Sequence, residues 1–151
     1  MAVWKKEIKS VVEMENLAAK IGSYLRPPDV LTLEGDLGAG KTTFTKALAK
    51  AMGVTRTVSS PTFTIIKQYE GDYPFNHLDV YRLANSEEDL GWDELFYGDA
   101  ISVVEWAQFI EEELPEHRLE LVIHHTGPDS RRVECTPKGE RFTRICEEIF
   151  T

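Results

Sequence analysis

The residues with the clearest chemical pattern run from Gly35 to Thr42 and read GDLGAGKT. They match G-x-x-x-x-G-K-[ST], the pattern of a loop that wraps phosphate groups. Glycines allow positive φ angles and a close backbone approach, and the next helix adds a favourable N-terminal dipole. We expect Lys41 to reach the β- and γ-phosphates and the Thr42 hydroxyl to bind Mg²⁺. The wrapping amides are expected to be those of Leu37, Gly38, Ala39, Gly40, Lys41 and Thr42.

A site of this kind also needs an acidic residue at the tip of a neighbouring strand, to hold the metal shell. Glu105 ends an apolar run at 101–104, and Asp79 ends another run at 75–78. Both are expected at the carboxyl edge of the sheet, beside the phosphate loop. Each acid taken alone is explained equally well as a solvated residue at a strand end. Trp106 follows Glu105 and is expected either to pack in the core or to wall the site.

The segment SSPTFT, at 59–64, follows the first α/β unit and contains Thr62. A threonine or serine hydroxyl on a mobile loop can close on a γ-phosphate, as the switches of GTPases do. An ordinary proline turn that enters a strand explains the same residues more simply. The residue pattern alone therefore favours the turn.

The elements that must position these residues alternate between helix and strand, which predicts an α/β fold. Ser10 and Glu13 form a capping box before the first helix, and Gly53 is predicted as the C-cap of the second. The predicted elements are an edge strand at 3–9, a helix at 11–25, a strand at 30–33, a helix at 41–52, two strands joined by a turn at 70–72, a short helix starting with Ser86, a strand at 100–106, a hairpin of 119–125 with 131–136, and a helix at 139–150.

Combined with the phosphate loop, this order predicts a P-loop NTPase-like three-layer sandwich with helices on both faces of the sheet. The sheet is expected to be mixed and mostly parallel, with antiparallel hairpin strands. The chain has 151 residues, enough for one domain with a real core, so 1–151 is predicted to be a single domain.

The charge balance argues against direct binding of nucleic acid. The chain carries 26 acidic and 17 basic residues, a net charge of −9, which repels a phosphate backbone at long range. No apolar run approaches the roughly 20 residues that span a bilayer, and the N-terminus lacks the apolar core of a signal peptide. Cys135 and Cys146 show no metal or redox spacing, which favours reduced thiols in a cytoplasmic protein.

Four motifs, GDLGAGKTTF, SPTFT, HLDVYRL and VEW, occur in this order, and together they resemble the bacterial TsaE (YjeE) family. The resemblance covers most of the chain. It implies a small P-loop ATPase that works in the synthesis of the tRNA modification threonylcarbamoyladenosine. It also implies two protein partners, TsaD and TsaB, with tRNA handled only through that complex and with no role for DNA or a membrane.

The resemblance also implies roles for individual residues. Lys41, Asp79 and Glu105 are expected to be catalytic, with Thr42 and Glu105 holding Mg²⁺ and Asp79 positioning water or metal. The remaining residues expected around ATP are the phosphate-binding stretch from Gly38 to Thr43, Thr62 and Phe63 in the switch-like loop, Trp106 near the γ-phosphate and, on weaker grounds, Ser10 near the adenine.

We expect water to attack the γ-phosphate in line while Lys41 and Mg²⁺ stabilise the developing charge. No arginine finger precedes the loop, so hydrolysis is expected to be slow unless a partner or Arg82 completes the site. No N/T-K-x-D guanine signature is present, which favours ATP over GTP.

Two other functions stay open at this point. The first is a small-molecule kinase of the P-loop class, although no arginine-rich lid is visible. The second is a nucleotide-gated binding module with negligible turnover.

Overall fold

The structure is a computed structural model that describes residues 3–35, 40–55, 66–81 and 91–150. Its elements, in chain order, are β1 (Trp4–Ile8), α1 (Val11–Gly22), β2 (Val30–Gly35), α2 (Lys41–Ala51), β3 (Ile66–Tyr69), β4 (Phe75–Asp79), α3 (Trp92–Phe96), β5 (Ile101–Glu105), the 3₁₀-helix η1 (Ala107–Glu113), β6 (Arg118–His125), β7 (Arg131–Lys138) and α4 (Glu140–Phe150).

Within the described ranges, seven strands form one sheet in the order β1-β7-β6-β2-β5-β4-β3. The four central strands β6, β2, β5 and β4 run parallel to one another. β1, β7 and β3 pair antiparallel with their neighbours. The sheet is therefore mixed, as predicted, and both predicted hairpins, β3–β4 and β6–β7, are confirmed.

Helices cover both faces of the sheet, which confirms the predicted layering. Leu31 of β2 belongs to a core cluster that includes residues of α1, α2 and α4. Its neighbour Val30 belongs to a second cluster, with Trp92 of α3 and Ile110 of η1. Because successive strand residues point to opposite faces, these two clusters lie on opposite sides of the sheet.

The first helix is shorter than predicted. Ser10 caps α1 by accepting a hydrogen bond from Glu13 N at 3.1 Å, as the capping box predicts. However, α1 ends at Gly22, whereas the sequence pattern placed its end at residue 25. Bonds from Tyr24 N to Ile21 O and from Leu25 N to Gly22 O tighten the chain into a turn there. Leu25 is still buried, so the apolar periodicity continued beyond the helix itself.

Other boundaries differ by smaller amounts. α2 ends at Ala51 with Met52 as its C-cap, so Gly53 is the residue after the cap; its φ of 86° suits the left-handed turn that leaves the helix. The structure places a helix at Trp92–Phe96 with Gly91 as its N-cap, and the predicted start at Ser86 lies outside the described residues. β5 ends at Glu105, so Trp106 lies beyond the strand.

Both cysteines are free and buried. Burial raises the pKa of the Cys146 thiol to about 11 and that of Cys135 further still, which keeps both thiols protonated. Among the helices that the structure describes, none has the length and apolar character needed to cross a bilayer.

Candidate active site

The junction between β2 and α2 carries the phosphate-loop pattern. The buried run 30–33 fixes the strand in the middle of the sheet, and α2 begins at Lys41. Gly40 caps α2 with φ 110°, a conformation that favours glycine, and it provides no side-chain cap. The first amides of α2 therefore point outward without a capping side chain from Gly40, which suits an anion at this helix end. Leu37, Gly38 and Ala39 lie outside the described residues.

Lys41 and Glu105 face each other beside this junction. The Nζ atom of Lys41 lies 3.5 Å from Oε1 of Glu105, and both side chains are largely buried. Glu105 ends β5, between Leu33 of β2 and Asp79 of β4 in the strand register. The structure thus brings the predicted loop lysine and the predicted strand-end acid into direct contact.

His77 of β4 is a second partner of Glu105, and the sequence interpretation gave it no role. Its Nε2 atom lies 2.6 Å from Oε2 of Glu105, and its side chain is only 2% exposed. Burial raises the pKa of the Glu105 carboxyl, but His77 and Lys41 together outweigh that effect, so the net pKa lies below its usual value. Glu105 is therefore held as a carboxylate.

Asp79 lies at the same edge of the sheet, directly beside Glu105 in the register of β4 and β5. Its Oδ1 atom accepts a hydrogen bond from Tyr81 N at 3.1 Å. This bond turns the chain at the end of β4 and leaves the carboxylate half-buried. The position at the strand tip is as predicted, while a role in placing water or metal stays a prediction.

Trp106 follows Glu105 and lies over Lys41. Its ring centroid is 5.5 Å from Nζ of Lys41, a cation–π distance. The indole ring also meets Tyr81 edge-on at 4.9 Å and stacks on Phe109 at 5.9 Å, and all three rings are exposed. Of the two predicted placements, the structure favours a wall beside the site over the core. Tyr81 and Phe109 were not predicted, because single aromatic residues carry no distinctive pattern.

A cavity of about 430 Å³ extends from the start of α1 to the start of α2. Its lining includes Ser10, Met14, Gly40 and Thr43, together with Asp129 in the β6–β7 turn. Ser10, which was predicted near the base, therefore shares one cavity with Gly40 and Thr43, two of the residues predicted around the phosphates.

The remaining predicted residues are placed less completely. Thr42 is exposed in the first turn of α2, adjacent in the chain to Lys41. Thr62 and Phe63 of the switch-like segment, and Arg82, lie outside the described part of the chain.

The residues present fit a magnesium nucleotide. A threonine hydroxyl and a carboxylate are hard oxygen donors of the kind Mg²⁺ prefers. The described ranges contain no group of three or more His, Cys, Asp or Glu side chains arranged to hold a metal. Mg²⁺ usually takes one or two protein ligands and completes its shell with phosphate oxygens and water, so a threonine hydroxyl and one carboxylate are a sufficient contribution from the protein.

Comparisons with known proteins show which family and which solved structure this chain is similar to. A family model described as "Threonylcarbamoyl adenosine biosynthesis protein TsaE" matches residues 8–133. The protein described as tRNA threonylcarbamoyladenosine biosynthesis protein TsaE in Bacillus subtilis (strain 168) is 52% identical over 138 residues, covering 91% of this chain and 87% of the relative. The protein of the same description in Streptomyces coelicolor is 40% identical over 139 residues, covering 85% and 93%. A crystal structure of Bacillus subtilis YdiB matches with a TM-score of 0.85 at 45% identity, over 98% of this chain and 94% of that one.

Proposed function

The chain belongs to the TsaE family, as its four motifs predicted, and from that premise we propose that it binds and hydrolyses ATP with Mg²⁺ in tRNA threonylcarbamoyladenosine biosynthesis. We include in the proposal that it acts with a TsaD–TsaB complex, which handles the tRNA. The contact between Lys41 Nζ and Glu105 Oε1 carries the proposal. It brings the cation of the phosphate loop to the carboxylate expected to serve the metal.

In this proposal, Lys41 and Glu105 each have a function. In the structure Lys41 lies beside Glu105 and neutralises a carboxylate that is buried at the end of β5. A bound triphosphate would draw the ammonium group of Lys41 to its β- and γ-phosphates, which would leave Oε1 of Glu105 available to the metal shell. Thr42 and Glu105 would hold Mg²⁺, which would supply charge neutralisation at the reacting phosphoryl group.

Water then needs to attack the γ-phosphate in line. Asp79, the register partner of Glu105 on the neighbouring strand, would orient that water or a water of the metal shell in this proposal. Among the described ion pairs, no arginine contacts Lys41 or Glu105. We include in the proposal that turnover by the protein alone is slow, and that a group from the TsaD–TsaB complex, or Arg82, which lies outside the described residues, completes the charge stabilisation.

The test combines calorimetry with an assay of inorganic phosphate release. The wild-type protein should bind MgATP and release phosphate slowly, and TsaD–TsaB should accelerate the release, measured with and without tRNA. Lys41→Ala should lower the rate about 100- to 1,000-fold, since it removes one donor to the developing charge. Lys46→Ala, an exposed lysine on the same helix, is the matched control and should behave as wild type.

Three results would contradict the proposal. The first is an absence of heat on titration with MgATP. The second is a Lys41→Ala variant with the wild-type rate. The third is consumption of ATP with transfer of phosphate to a metabolite instead of water, which would identify a kinase.

A further inference from the structure

His77 is a buried residue near the carboxyl ends of the central strands, and the proposed mechanism gives it no role. It lies on β4, directly opposite Val103 of β5, and reaches diagonally to Glu105. Its side chain is almost inaccessible, so it cannot meet a nucleotide or solvent directly. Its recorded polar contact is the 2.6 Å approach of Nε2 to Oε2 of Glu105.

The surroundings of the imidazole determine which nitrogen carries the proton. Nδ1 of His77 is buried and has no hydrogen-bond partner in the part of the chain that the structure describes. A proton on Nε2 turns the short approach to the Glu105 carboxylate into a good hydrogen bond, whereas a lone pair there would be repelled. His77 therefore donates through Nε2.

We propose that His77 is a positioning residue for the metal-binding carboxylate: its Nε2–H bond holds Oε2 of Glu105, so that Oε1 faces Lys41 and the metal. This inference rests on the proposed function and names a residue through which Glu105 acts. The two oxygens of Glu105 are divided between two partners, His77 on Oε2 and Lys41 on Oε1. In the proposed function, a magnesium nucleotide would replace Lys41 as the partner of Oε1, whereas His77 would stay on Oε2.

A hydrogen bond of this kind has a measurable consequence for metal binding. Carboxylates that bind metals are oriented by their own hydrogen-bond partners, and removal of such a partner typically weakens metal affinity or activity about 10- to 100-fold. A histidine that only fills space in the core would affect folding stability but not the difference between binding with and without Mg²⁺. That difference is therefore the quantity to measure.

The experiment titrates a non-hydrolysable ATP analogue by calorimetry, at a series of Mg²⁺ concentrations and with the metal chelated. In His77→Leu, the half-saturating Mg²⁺ concentration should rise about 10- to 100-fold, with little change in metal-free nucleotide binding. His77→Gln should restore most of the metal response, because the glutamine Nε2 group can donate from a similar position. Ser102→Ala is the control: it alters another buried polar residue, on β5, whose hydroxyl has no recorded partner among the described residues.

The outcomes separate this inference from the proposed function. If the wild type shows no magnesium-dependent nucleotide binding, the proposed function fails. If the wild type shows it and His77→Leu keeps the same Mg²⁺ requirement, only the positioning role is overturned. Equal losses in the Leu and Gln variants, with and without metal, would also overturn it, because they would indicate general damage to the fold.

A measurement on the unaltered protein covers the case in which the variants do not fold. Nitrogen-15 NMR of labelled histidine shows which ring nitrogens carry a proton. His77 should carry a proton on Nε2 before and after the magnesium nucleotide is added. A proton on Nδ1 with Nε2 bare would overturn the inference.

Discussion

Among the residues that the structure describes, two histidine–glutamate pairs lie on the sheet, and they differ in almost every physical respect. His77 and Glu105 meet at 2.6 Å in the buried edge of the central strands, beside Lys41. His124 and Glu134 meet at 3.0 Å on β6 and β7, where both side chains are partly exposed. The residue types are the same, so the difference lies in burial and in the neighbouring charges.

The exposed pair is supported by a group of cations. Lys5 Nζ lies 3.9 Å and Arg132 Nε 3.5 Å from Oε1 of Glu134. The hydrogen bond from His124 lowers the pKa of Glu134, and the charges of Lys5 and Arg132 add to the effect. Water can replace any one of these partners, whereas Glu105 depends on two specific side chains. The comparison indicates that only the buried pair is tied to a particular geometry.

The largest expected difference between the two pairs is catalytic. Glu105→Gln should lower magnesium-dependent phosphate release about 100-fold or more, because it removes the carboxylate that serves the metal beside Lys41. Glu134→Gln makes the same chemical change on β7, at a residue outside the proposed catalytic set, and should leave the rate close to that of the wild type. Steady-state phosphate release with TsaD–TsaB measures both. Equal losses of phosphate release in the two variants would contradict the difference expected between the buried and the exposed pair.

A smaller difference is expected in folding stability. His77→Leu should lower the free energy of unfolding by about 1–3 kcal/mol, because the Glu105 carboxylate loses a buried donor. His124→Leu should cost less than about 1 kcal/mol, since its partner retains water and two cations. Urea denaturation without nucleotide measures both values. A larger loss in the His124 variant would show that burial does not separate the pairs.

The smallest effect concerns pH. Because the folded state lowers the pKa of Glu134, its stabilising contribution is complete above the unfolded pKa of about 4.3 and is lost as the pH falls through the folded value. Glu134→Gln should therefore reduce the loss of stability in acid, by less than about 1 kcal/mol because the group is near the surface. Denaturation midpoints of wild type and variant across the acidic range test the sign. A variant that loses more stability in acid than the wild type would contradict it.

Much of the fold was predictable because its signals are local. The capping box at Ser10, the apolar run at 30–33 and the turn chemistry between β3 and β4 are all visible in short windows of sequence. The early end of α1 was not, because apolar spacing continues to Leu25 while the backbone already turns. The helix η1 is also irregular, because the backbone of Ile110 departs from helical angles, with a φ of −131°.

The candidate site likewise contains residues that the sequence predicted and some that it did not. Lys41 and Thr42 follow from a motif, and Glu105 and Asp79 follow from the rule that ligands meet parallel strands at their carboxyl ends. His77 could not be predicted, because its partner lies 28 residues away and their contact depends on the register of β4 and β5. A lone histidine in a strand gives no sign of which side chain it will meet.

The backbone conformation of Trp106 has a consequence for the contacts that its ring makes beside the phosphate loop. Its φ of 61° lies in the left-handed region, which costs a residue with a side chain about 1–2 kcal/mol relative to ordinary helical angles. Glycine would avoid that cost but would remove the ring that spans from Lys41 to Phe109 in η1. A ligand that drew Lys41 away would therefore remove one of the contacts that offset this backbone cost, whereas the stacking of Trp106 on Phe109 would remain.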